Sequence, residues 1–126
     1  MKLPVFALAA ALALAPVAAF AHGKAPAAAH GGQVQDAQGT WVEFVVNDEH
    51  VEVYVMSEEG AALPAVQITG TATVMVGGKP QKVQLTPGQG NMLTGTLLEP
   101  AMGKAIAMVS LKIAGKTATA RFAGAA

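Results

Sequence analysis

The sequence predicts an all-β protein: an antiparallel β-sandwich of immunoglobulin-like size with about seven strands, preceded by a cleaved signal peptide and a flexible arm. Three observations predict it. Apolar residues alternate with polar ones over most of the chain after residue 33. Turn signals such as Gly77-Gly78 and Pro87-Gly88 break that alternation every eight to twelve residues or so. No sustained helical period occurs outside the first residues, and β-branched Thr, Val and Ile, which suit a pleated surface, are abundant.

The chain opens like a secretory signal. Lys2 supplies the positive start, Leu3 to Phe20 is almost wholly apolar, and Ala19-Phe20-Ala21 is a small-x-small cleavage motif. Residues 1–21 are therefore read as a signal peptide and the protein as periplasmic, with no membrane span after cleavage. Residues 22–32 are Gly, Ala, Pro, Lys and His without a hydrophobic period, and read as a flexible arm. Residues 33–126 form the single domain.

Within that domain TWVEFVVN alternates Val42, Phe44 and Val46 against Trp41, Glu43 and Val45. HVEVYVMS alternates Val51, Val53 and Val55 against Glu52, Tyr54 and Met56, with Asn47-Asp48-Glu49 as a tight hairpin turn between them. VQITGTATVMV sets Val66, Ile68, Ala72, Val74 and Val76 on one side, and Gly77-Gly78 turns the chain into KPQKVQLT. MLTGTLLE follows, then a loop at 100–104, then AIAMVSLKI and, past Ala114-Gly115, TATARF. The expected core is Val42, Phe44, Val46, Val53, Val55, Ile68, Val74, Leu85, Leu97, Leu111 and Phe122. A small barrel is the alternative closure.

Composition narrows function. Eight Lys and Arg balance eight Asp and Glu, so no basic stripe marks a nucleic-acid partner. There is no cysteine, which removes thiolate metal sites and disulfides. No Ser lies in a nucleophile motif and no carboxylate pair faces a base, so no enzyme is expected. One Trp and one Tyr are too few for a sugar-binding platform. The chemistry that remains is imidazole. Two of the three histidines, His22 and His30, flank the arm. Cleavage after Ala21 would give His22 a free α-amine, which chelates a metal together with its own Nδ1. His30, with His50 or Glu43, would complete a nitrogen-rich set suited to Cu(II), with Zn(II) possible. The plainer readings are a solvated linker histidine at 30, an exposed His50 beside Asp48 and Glu49, and an outward-facing Glu43. The dispersed methionines read as core filler.

The runs AHGGQVQDAQGTWVEFVV, VYVMSEEGAALP, ITGTATVMVGGKPQKVQLTPGQGNMLTGTL and GKTATARF resemble a small β-rich module. It occurs near the N-terminus of periplasmic adaptor subunits of heavy-metal efflux pumps and as short exported proteins of metal-resistance systems. The resemblance implies a metal-binding or efflux accessory role with efflux-pump components as partners. His30 and Glu43 are its matching polar positions. The competing class is a metal-free module that docks a periplasmic or envelope protein through a sheet edge or Thr-rich face.

Overall fold

The computed structural model describes residues 24–101 and 105–124; the segment read as a signal peptide and His22 lie outside them. The chain is all-β. The strands are β1 (Gln33–Ala37), β2 (Thr40–Met56), β3 (Thr69–Val76), β4 (Lys79–Pro87), β5 (Met92–Ala101), β6 (Ala107–Ile113) and β7 (Lys116–Phe122). All seven pair antiparallel in one sheet of order β1-β2-β5-β4-β3-β6-β7. β1 and β7 also approach each other, so the sheet is nearly closed. β4 carries the sheet round. Gly70↔Leu85 through Val76↔Lys79 pair it with β3, while its last residues, Thr86 and Pro87, face Thr94 and Leu93 of β5.

Two-residue turns set three of the registers. Ala37↔Thr40, Val76↔Lys79 and Ile113↔Lys116 each close a loop whose two residues have positive φ: Gln38 and Gly39, Gly77 and Gly78, Ala114 and Gly115. That backbone matches the right-handed twist of the flanking strands.

β2 is 17 residues of extended chain, yet it is not straight. The His30 ring touches both Glu43 and Tyr54. Eleven extended residues span about 36 Å, so the chain must double back between them. The reversal falls at Asn47–His50, where Asp48 has φ 58 and the pairing with β5 shifts register. The reversal brings Glu43 and Tyr54 to the same imidazole and Trp41 to Glu58, whose carbonyl accepts from Trp41 Nε1 at 3.1 Å. The burial pattern agrees: even positions 42, 44 and 46 are buried before the reversal and odd positions 51, 53 and 55 after it.

All eleven expected core residues are buried. Val66 is a correction. It is 72% exposed, because Ala65–Gln67 form a 3₁₀ turn after Pro64 and β3 begins only at Thr69. Ala65 is buried in its place, its N–H donating to Gly90 O at 2.9 Å. β5 likewise continues through Pro100 to Ala101, beyond the expected start of a loop.

Candidate functional site

The site lies on the outer face of β2. Alternation puts Trp41, Glu43 and Val45 on the side opposite Val42, Phe44 and Val46, and the reversal brings Tyr54 and Glu52 onto that same side. A carboxylate mid-strand on an outer face would ordinarily be wet. Glu43 is instead 1% exposed, the one charged residue buried among those described. The end of the 22–32 arm covers it.

Three N–H groups of the arm converge on this carboxylate. His30 N and Gly32 N donate to Oε2, each at 2.9 Å, and His30 Nδ1 lies 2.9 Å from Oε1. Gly31, with φ 78, shapes the turn that points both amides inward. Gly32 admits no side chain: a Cβ there would stand 2.3 Å from Phe44 O and 2.7 Å from Val45 Cγ2. Two sequence features, the mid-strand carboxylate and the His-Gly-Gly triplet, thus form one clasp. The arm is docked at this end.

The clasp fixes the imidazole. Facing a carboxylate, Nδ1 carries the ring hydrogen, so Nε2 of the neutral ring keeps its lone pair. His30 is 42% exposed. Its ring lies flat on Tyr54, with centroids 3.6 Å apart and planes 3° from parallel. Hydrogen bond and stack together leave the ring no free rotation. A carboxylate behind Nδ1 is the arrangement that orients metal-binding histidines and raises their basicity.

A row of polar groups continues along β2. Tyr54 OH donates to Glu52 Oε1 at 2.7 Å, and Glu52 Oε2 lies 3.4 Å from His50 Nε2. Burial, then the hydrogen bond and negative charge of Glu52, then the charge of Glu43, push the Tyr54 phenol up to about 12 from 10.0. Tyr54 is the single tyrosine, so alkaline titration of phenolate absorbance reads this group alone. The expected midpoint is about 12, and Glu52→Gln should move it down; a wild-type midpoint at the ordinary value would contradict the Tyr54–Glu52 bond. Because the folded value is raised, its contribution to stability is complete below pH 10 and is lost as pH rises towards 12.

Of the four residues expected to bind metal, the structure joins His30 and Glu43. Glu43 stands behind the ring with both oxygens engaged by the arm. His50 is not beside His30: Glu52 and Tyr54 lie between them, and four strand residues span about 13 Å. Among the described residues no group of three or more His, Asp or Glu could hold a metal ion. Tyr54 and Glu52 were not singled out by sequence, although alternation already put them on one face with His50. Set against protein-family models, curated proteins and solved structures, the chain matches none.

Proposed function

We propose that the protein is an exported periplasmic metal-binding accessory module with an immunoglobulin-like β-sandwich, serving heavy-metal efflux or resistance. In that reading β1-β2-β5 and β3-β6-β7 are the two layers and β4 links them. The cargo that fits best is Cu(II), with Zn(II) as competitor, because the ligands on offer are nitrogens. The observation that carries the reading is the Glu43–His30 contact of 2.9 Å, which holds Nε2 as a fixed acceptor at the surface. The partner ligands are those expected of His22 after cleavage, its imidazole and α-amine. The resemblance to adaptor-subunit modules of efflux pumps points the same way.

Glu43→Gln separates this role from a structural one. The amide keeps an oxygen for the two backbone N–H groups, while its NH₂ donates to Nδ1. The hydrogen of the neutral ring then moves to Nε2, and the lone pair needed for metal is lost. Cu(II) affinity should fall by about 10–100-fold with the fold retained. His30→Ala should cost at least as much, and His50→Ala should change nothing. Affinity should also fall with decreasing pH, since protons compete for the same nitrogens. Native mass spectrometry and Cu(II) titration of the processed protein measure all of this. Unchanged Cu(II) binding by His30→Ala would return the arm to a linker. It would also favour the alternative, a docking module, whose shallow groove between Thr69, Thr71, Ser110 and Thr117 is the surface to examine next.

A further inference from the structure

A second site lies on the outer face of β3, β6 and β7, away from the clasp and independent of its metal chemistry. A cleft of about 400 Å³ opens there between Met75, Ile106 and Met108, with Ala123 and Arg121 on its β7 side. Met75, Ile106 and Met108 are exposed by 37%, 56% and 37%, three of the five large apolar side chains left in water among the described residues. Register explains the grouping. Thr73 pairs with Met108 and Met108 with Arg121, and the Met75 amide donates to Ile106 O at 2.9 Å. β3 and the start of β6 thus bring two thioethers and an isoleucine to one concave surface, beside which β7 places Arg121. Arg121 is the single charged residue lining the cleft among the described residues. Among the described residues nothing bonds or pairs with its guanidinium.

We infer that this cleft binds a small aliphatic carboxylate, the chain lying against Met75, Ile106 and Met108 and the carboxylate held by Arg121. The volume is at the small end of ligand pockets, enough for one medium-length acyl chain. Methionines are flexible and polarizable and adapt to such a chain. A planar guanidinium offers two parallel N–H donors that match a carboxylate, and among the described residues no anion occupies it. Apolar walls with a guanidinium at the rim select a ligand that is apolar at one end and anionic at the other. A neutral alkane lacks the second feature, and a hydrophilic anion lacks the first.

The test titrates the purified full-length processed protein with decanoate and with decanol, following backbone amide resonances. Decanoate should bind about tenfold or more tightly than decanol, the margin of one charge-assisted hydrogen-bond pair. Shifts should concentrate at residues 73–75, 106–108 and 121–123. Arg121→Gln should erase the preference and leave weak decanol binding intact. Ile106→Glu should abolish binding of both. Both side chains are exposed, and unchanged thermal unfolding of each variant confirms that the fold is kept. Equal binding of decanoate and decanol, decanoate affinity indifferent to Arg121→Gln, or shifts scattered over the surface would each overturn the assignment.

Discussion

Phe44→Ala should lower the free energy of unfolding by about 3–5 kcal/mol, the largest single-residue effect expected in the chain. Phe44 is 1% exposed and packs on Phe122, with ring centroids 5.3 Å apart and planes tilted by 30°. Two terms add. The ring leaves a cavity that a nearly closed sheet has little freedom to collapse, and the aromatic pair loses about 0.5–1.5 kcal/mol beyond its buried area. Phe44 lies on the first half of β2 and Phe122 ends β7, so the contact ties the beginning of the domain to its end. Phe44→Leu should cost much less, because most of the volume is refilled. Chemical denaturation measures both variants. A midpoint unmoved by Phe44→Ala would mean that this side chain does not fill the interior.

Glu43→Ala should destabilise the protein by about 2–3 kcal/mol and release the end of the arm. Two opposed effects set that figure. A buried carboxylate is costly to desolvate, and the substitution removes that cost. It also strips the acceptor from His30 N and Gly32 N, and hydrogen bonds to a charged group are worth about 1.5–3 kcal/mol each. The arm can lift and return both amides to water, which caps the loss near the value of one such bond. Glu43→Gln, which preserves an acceptor, should cost well under half as much. Hydrogen exchange at the Gly32 amide is the sharper readout: fast in Glu43→Ala, slow in the wild type and in Glu43→Gln. Equal protection in all three would show that the arm is held by something other than this carboxylate.

The core was legible because burial in a strand has a strict period of two. Val42, Phe44, Val53 and Leu111 announce their face without reference to anything distant. The glycine turns at 77–78 and 114–115 were legible because a two-residue hairpin demands positive φ. Gln38-Gly39 makes the same turn and went unmarked, since glutamine carries no turn preference. Val66 misled because alternation continues through a segment that Pro64 starts as a 3₁₀ turn. Strand order was not legible at all. Side-chain period says which face is buried and nothing about which strand lies alongside, so β5 beside β2 had no local signal. In the site, Glu43 and His-Gly-Gly each stood out, since a mid-strand carboxylate requires a partner. The Tyr54 stack did not. It depends on the arm crossing the second half of a doubled strand, a relation that no short window of sequence contains.

The β1–β7 seam has a bearing on how the chain folds and on what happens when it opens. No backbone ladder crosses it. Gln38 Oε1 accepts from Thr119 N at 2.8 Å and Gln33 Oε1 from Gly124 N at 3.2 Å, side chains standing in for a missing rung. These bonds join residues 81 and 91 positions apart, so closure waits on nearly the whole domain being in place. The seam is then the last part to form and the first to breathe, because no cooperative ladder resists its separation. Each opening bares two strand edges at once, and bare edges recruit other chains. While the seam is closed, the two glutamine side chains bridge those edges. Their replacement by alanine would matter less to the midpoint of unfolding than to how long a concentrated solution stays clear.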